Sequence, residues 1–319
     1  MSSIGIVYNN LIEGTEKVAK DLTEKFQSAS LDFVCDLENL PKKCDVNVLI
    51  VIGGDGTILA AAHRVYNSET SILGVNMGTL GFMTELNVKE ALLNINDDFI
   101  EHTHIEERSM LEAAIVDLST EKAPNFSFLA LNEIVVGSGS VAKMARIEVK
   151  VDDQWLTEYR SDSVIVSTAT GSTGYSLSAG GPILYPTSSD ILLQPVAAHL
   201  GFGSGLILPS NSLVELKVIS NGSAAISADG ILTSKLTKDN KVLAKLSNKN
   251  VKFLRRSKSF NSYRNIMKFF GMNDSSNWVE VDFGREDHFQ WNHLSRQCYK
   301  FKGRYCWAEQ RNNFYSRDY

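Results

Sequence analysis

Apolar positions in the first hundred residues follow two alternating rhythms. Short apolar runs read as buried strands at 3–8, Leu31–Cys35, Val46–Ile52 and Ser71–Val75. Between the first two, Val18, Leu22 and Phe26 recur every four residues and predict a helix over Glu13–Ala29 with one buried face. Further helical patterns cover Ile58–Tyr66 and Val88–Ile95. Strands alternating with helices predict an α/β block whose parallel sheet carries helices on its faces.

From about Arg108 the rhythm changes to short β-rich segments: Met110–Leu118, Phe126–Val136, Ala145–Val151, Val164–Thr168, Leu213–Ile219 and Val242–Leu246. An α/β block followed by an all-β block predicts two domains, over 1–105 and 106–255, rather than one extended sheet. Phe260, Tyr263, Met267 and Phe270 then recur at helical spacing, predicting a helix over 256–271 that packs back on the body. Residues 272–319 hold Trp278, Trp291 and Trp307 but almost no Ile, Leu or Val, so they read as an atypical, poorly ordered tail.

Composition narrows the class. The chain has 319 residues, 43% of them apolar and 22% charged, enough to bury cores. No run approaches the ~18 apolar residues of a membrane span, and the start lacks a signal peptide's pattern, which places the protein in the cytoplasm with no membrane partner. A net charge of −5 disfavours nucleic acid as a partner, because such proteins carry excess Lys and Arg. Four cysteines in so long a chain make no disulfide framework, and the spacing of His288, His293, Cys298 and Cys306 fits no zinc pattern, so no protein-bound metal site is expected.

The sharpest motif is the strand Val48–Ile52, then Gly53-Gly54-Asp55-Gly56-Thr57, then a helical run from Ile58. Glycines expose main-chain N–H groups, and a helix start adds partial positive charge, so this turn suits a phosphate. Asp55 would repel that phosphate unless it takes a proton from an attacking hydroxyl or meets a metal ion, both needs of a phosphotransferase; otherwise it is a helix cap. The sequence alone leaves cap and catalyst evenly balanced. A second loop, Ala169–Pro182, is rich in Gly, Ser and Thr and too poor in aliphatics to be core, and Tyr175 within it suits stacking on a base. Asn132-Glu133 interrupts an apolar pattern and pairs an amide with a carboxylate, a combination that can hold a base edge and a ribose diol.

Together these residues resemble the NAD kinase family from about Ile4 to Gly271. Carrying the resemblance are Gly53–Thr57, Asn76–Glu85, Arg108-Ser-Met-Leu111, Leu131-Asn132-Glu133, Tyr159-Arg160-Ser161-Asp162, Thr170–Pro182, His199 and Asp229-Gly230. It implies an α/β N-terminal domain with a parallel, Rossmann-like sheet and an all-β sandwich C-terminal domain, with NAD bound between them. It also implies ATP accompanied by a divalent cation such as Mg2+, and a homodimer or homotetramer. The implied activity is phosphorylation of the 2′-hydroxyl of NAD's adenosine ribose to give NADP, with Asp55 as the proton acceptor and Gly56 beside it. Asn132 and Glu133 would contact the adenosine half. Thr173, Gly174, Tyr175, Ser176 and Ser178 would belong to the loop closing round the nucleotide. Asp162, reaching from a neighbouring subunit, would face the nicotinamide end, and Lys143 and Arg160 would be ligand contacts.

Departures from the family pattern are Ser163 for glycine, Ala169 for proline, Gly174 for alanine and Ala198 for proline, all small changes expected to alter loop rigidity. Ile231 replaces a commonly polar residue. Two other classes remain open: a lipid or sugar-phosphate kinase sharing the glycine–aspartate turn, and a non-catalytic NAD sensor, which would need no acid at the phosphate turn.

Overall fold

The computed structural model describes residues 3–26, 31–41, 44–66, 68–78, 81–119, 123–140, 143–199, 202–220, 224–256, 298–301 and 304–307. The first part runs β1 (Ile4–Tyr8), α1 (Thr15–Thr23), β2 (Leu31–Asp36), β3 (Val48–Ile52), α2 (Asp55–Val65), β4 (Ser71–Asn76), β5 (Leu86–Asn87), α3 (Val88–Asn94) and α4 (Asp97–Glu101). β1 pairs in parallel with β2 and β3, and β3 with β4, as the alternation predicts. Every residue of β3 and β4 is buried, because helices cover both faces. On one side Val18 and Leu22 of α1 pack over Ile4, Ile6 and Ile50; on the other Ile58 and Ala62 of α2 pack over Val7, Leu49 and Val51. α1 is shorter than the predicted helix. Gly14 before it has φ +83°, a left-handed conformation that delays the start to Thr15.

The second part runs β6 (His104–Asp117), β7 (Phe128–Ala130), β8 (Glu133–Ser138), β9 (Ala145–Val151), β10 (Gln154–Ser161), β11 (Ser163–Ser167), a 3-10 turn at Gly171–Thr173, α5 (Tyr175–Ser178), β12 (Ile191–Val196), β13 (Leu206–Leu208), β14 (Val214–Val218), β15 (Ala224–Ala228), β16 (Ile231–Leu236) and β17 (Asn240–Arg255). One sheet is antiparallel throughout, in the order β13-β12-β11-β8-β15-β16. It packs against β9, β14, β6 and β17 through Ile134, Val136, Val164 and Ile226 on one side and Leu111, Ile147, Val149 and Leu216 on the other. Alternation places Ala145, Ile147 and Val149 inward while Arg146 points to solvent. This is the expected sandwich.

The expectation of separate sheets is corrected. β17 pairs antiparallel with β6 and β14, and its end pairs in parallel with β4 at Lys252↔Ser71 and Phe253↔Ile72, giving one 11-stranded sheet through both halves. β17 is long because its apolar residues serve two cores: Val242 and Ala244 the sandwich, Val251 and Phe253 the layer under α2. The predicted segment Phe126–Val136 is two strands, β7 and β8, broken at Leu131-Asn132.

Residues 3–256 lie within one compact unit, Met1–Phe260; Asn261–Tyr319 is another. In the latter, β18 (Cys298–Phe301) pairs antiparallel with β19 (Arg304–Trp307), a hairpin inside the segment expected to be poorly ordered. The helix expected over 256–271 lies outside the described residues except for Arg256. No helix among the described residues is long and apolar enough to cross a membrane.

Candidate active site

Asp55 is the first residue of α2, after Gly54 as the N-cap residue, and the donors to its carboxylate come from another segment of the chain. Its carboxylate turns outward to the neighbouring loop, where Phe82 N–H donates to Oδ2 at 2.9 Å and Met83 N–H to Oδ1 at 3.1 Å. A Cβ on Gly81 would lie 2.2 Å from Asp55 Oδ1, so no side chain fits there. A Cβ on Gly54 or Gly56 would meet nothing, which leaves the turn open to a ligand. Beneath it Thr57 is buried and its hydroxyl accepts from Asn9 Nδ2 at 3.1 Å.

The loop that holds Asp55 is itself clamped from β17. Arg255 donates to the Met83 carbonyl at 3.1 Å and pairs with Glu85 and Glu106 at 3.4 and 3.0 Å. Glu106 also accepts from Arg108 Nε at 2.9 Å, and the two arginines hold its carboxyl below the usual range against the cost of its burial. Arg108 is fully buried against Phe253, with Nη2 unpartnered. Burial and the charge of Arg255 push its pKa down to about 10, opposed by Glu106 and Asp55, so it stays a cation at neutral pH.

Asn132 lies in the break between β7 and β8, and Glu133 opens β8. The backbone here is gathered by Asp229, whose Oδ2 accepts from Leu131 N–H at 2.7 Å and whose Oδ1 accepts from Asn132 and Glu133 N–H at 2.8 and 3.0 Å. The second loop closes over the same turn: Thr168 donates through N–H to the Asn132 carbonyl and through its hydroxyl to the Leu131 carbonyl. A Cβ on Gly171 would lie 2.1 Å from the Asn132 carbonyl oxygen, so the approach requires glycine. The reading of 169–182 as wholly outside the core is corrected: Ala169 to Ser172 and Ser176 are buried. Hydroxyl hydrogen bonds take the place of aliphatic packing, as in Ser172 Oγ, which donates to the Ala169 carbonyl at 2.6 Å and accepts from Leu184 N–H at 2.9 Å.

Several buried polar atoms here lack a partner: Glu133 Oε2, Ser163 Oγ, Thr170 Oγ1 and Ser176 Oγ. Such atoms are uncommon in folded proteins and point to a ligand that completes them. Glu133 is 7% exposed, and burial, reinforced by the charge of Asp229, pushes its carboxyl up to about 7. A groove of about 420 Å³ brings together Lys143, Asp162, Ser163 and Tyr175. Asp55, Asn132, Glu133, Arg160, Thr173 and Ser178 do not line it. Arg160, Asp162 and Ser178 are exposed; Thr173 is half-buried and donates to the Thr170 carbonyl at 2.9 Å. His199 is exposed, and its N–H donates to the Arg160 carbonyl at 2.8 Å. Ile231 is 68% exposed.

An open glycine turn at a helix N-terminus, a carboxylate that faces away from its own helix, and a polar groove on an adjoining β-sandwich define a nucleotide-dependent phosphotransferase. The chain belongs to the NAD kinase family: the ATP-NAD kinase N-terminal domain matches residues 16–104 and the C-terminal domain residues 131–256. An NAD kinase from Dehalococcoides mccartyi is 38% identical over 278 residues, covering 85% of this chain and 97% of its own. One from Cupriavidus pinatubonensis is 35% identical, covering 70% and 72%. Yeast NADH kinase, solved with NADH, shares the fold at a TM-score of 0.72 and 20% identity, covering 86% and 89%. An Archaeoglobus fulgidus NAD kinase solved with ATP does so at 0.66 and 21%, covering 85% and 100%.

Sequence reading missed His63, Glu106 and Arg255. Glu106 and Arg255 act through contacts between positions more than 140 residues apart, for which a single sequence carries no signal. His63 sits eight residues after Asp55 on α2 and only its position on that helix marked it.

Proposed function

We propose that the protein transfers a phosphoryl group from ATP to the 2′-hydroxyl of the adenosine ribose of NAD, giving NADP, with Asp55 accepting the hydroxyl proton. The observation that carries this reading is the orientation of Asp55. A capping carboxylate would accept from the amides of α2; this one accepts from two amides of the 81–83 loop, one on each oxygen, leaving a lone pair on each for a ligand proton. Gly54 and Gly56 form the open part of the turn for phosphate, supported from beneath by the buried Gly53 and Thr57.

In the same reading Asn132 and Glu133, through its unpartnered Oε2, hold the adenosine half. Thr173, Gly174, Tyr175, Ser176 and Ser178 flank the nucleotide, and the groove with Lys143 and Asp162 takes the nicotinamide end, with Arg160 a further contact at its rim. The α/β part to about residue 105 supplies the phosphate turn and the β part to about 255 the dinucleotide surface. Assembly as a homodimer or homotetramer and placement in the cytoplasm belong to the reading too. Exposed Phe202, Leu206 and Ile207 on and before edge strand β13 support self-association, which sedimentation would measure.

A divalent cation is implied with the triphosphate. Among the described residues no group of three or more His, Cys, Asp or Glu side chains is placed to hold one. In this reading the ion is a hydrated Mg2+ carried by the phosphates, with Asp55 the side chain that would meet it. When bound, the ion neutralises phosphate charge.

Asp55→Asn tests the assignment. It keeps the size and one acceptor but removes the charge and the capacity to take a proton, so kcat should fall by roughly 10²–10⁴ while NAD binding stays within a few fold. A folded variant with kcat within tenfold of the parent refutes the role.

A further inference from the structure

The base and the surface that holds the acceptor sit on different elements, Asp55 on α2 and Asn132-Glu133 at the start of β8. One buried carboxylate joins them. Asp229, in the turn between β15 and β16, has a side chain 1% exposed and accepts three backbone N–H groups from 131–133. Its fourth donor is His63 Nε2 at 2.6 Å from Oδ2, two turns along the helix that begins with Asp55.

Four donors fill the four lone-pair sites of a carboxylate. Because an ionised carboxylate can only accept, Nε2 must carry the hydrogen, which fixes how the imidazole presents itself. Asp229 adopts φ +49°, an unusual backbone for a non-glycine residue, and its own N–H donates back to the Glu133 carbonyl at 3.0 Å. The turn is therefore held rigidly to Asp229, and the histidine carries that registration across to α2.

We propose that His63 is a positioning residue, which through Asp229 sets the separation between Asp55 and the Asn132-Glu133 surface that holds the acceptor ribose. The inference rests on the function proposed above. Proton abstraction requires the base within hydrogen-bond reach of the hydroxyl, and a misplacement of about 1 Å can cost on the order of a hundredfold in rate. In this reading the effect of His63 passes through Asp229 and α2 rather than through a contact with substrate. Because its side chain is 27% exposed, water can take its place on Asp229 when it is removed, so the fold tolerates the loss.

The test is His63→Ala beside His63→Gln, whose amide nitrogen reaches the place of Nε2 and can donate to Asp229. We expect kcat for NADP formation to fall about tenfold or more in the alanine variant, with KM for NAD within about threefold of the parent, and to return to within about threefold of the parent in the glutamine variant. The thermal midpoint should drop by no more than about 3 °C. The variants are then combined with Asp55→Asn: if His63 acts by placing Asp55, the double variant is no slower than Asp55→Asn alone. Parent-level kcat in the alanine variant, no recovery with glutamine, or losses that multiply in the double variant each overturn the proposal. Asp55→Asn alone tests the underlying assignment, so an inactive Asp55→Asn with a fully active His63→Ala sinks the inference and spares the function.

Discussion

Glu133→Gln converts the burial of one carboxyl into a measurable pH dependence. In the folded protein the group titrates at about 7 against an ordinary value of 4.5, first because burial disfavours its charge and second because Asp229 is nearby. Between those values the folded state holds a proton that the unfolded chain has released. Stability must then fall as pH rises, by about 1.4 kcal/mol per unit, and flatten above the folded value. The gap of about two and a half units amounts to roughly 3 kcal/mol. Glutamine has no such proton, so the difference in unfolding free energy, variant minus parent, should grow by that amount from pH 4.5 to 8. Urea unfolding at constant ionic strength, without nucleotide, at half-unit intervals measures it. A difference that stays constant across the range refutes the argument. Saturating NAD should shrink the difference, because hydroxyls donating to Oε2 would stabilise the carboxylate.

The remaining expectations concern the phosphate turn and its loops. Gly81→Ala forces a Cβ into the Asp55 carboxylate, so its kcat should fall at least tenfold with a smaller change in KM for NAD; unchanged steady-state constants would contradict the assigned contact. Gly171→Ala would bring its Cβ within 2.1 Å of the Asn132 carbonyl oxygen and should lower stability by roughly 3 kcal/mol, whereas Gly174→Ala comes no nearer than 3.2 Å to Glu133 Oε2 and the Gly171 carbonyl and should stay within about 1 kcal/mol, which thermal melts of both would decide. Excess chelator should abolish NADP formation and added Mg2+ restore it, because the charge of a triphosphate must be neutralised for transfer; undiminished turnover in chelator would contradict this.

What the sequence made legible was what local pattern encodes. The strand–turn–helix at 48–65 stands where the apolar run and glycines put it, because turn and helix are neighbours in the chain. Whether Asp55 caps or faces outward was not legible, since its partners are amides 27 and 28 residues later in a loop of no regular pattern. Strands β12 to β16 escaped notice, apart from β14, because they are three to six residues long and lie in stretches dense with Gly, Pro and Ser. The burial of Ser172 and Ser176 was hidden because composition equates a core with aliphatics, while these positions are enclosed by hydroxyl-rich turns. The pairing of β17 with β4 joins positions about 180 residues apart, which no periodicity can announce.

β17 also has a mechanical consequence. Enzymes built from two lobes on a flexible tether commonly close over their substrates by swinging about it. Here the tether is a strand of sixteen residues, laced to β6 almost from end to end, so the boundary behaves as a stiff beam. Its register slips between Leu246 and Asn250, a softened place where bending would concentrate. Any closing of one half on the other would thus have to bend this strand at that slip rather than swing about a loose linker.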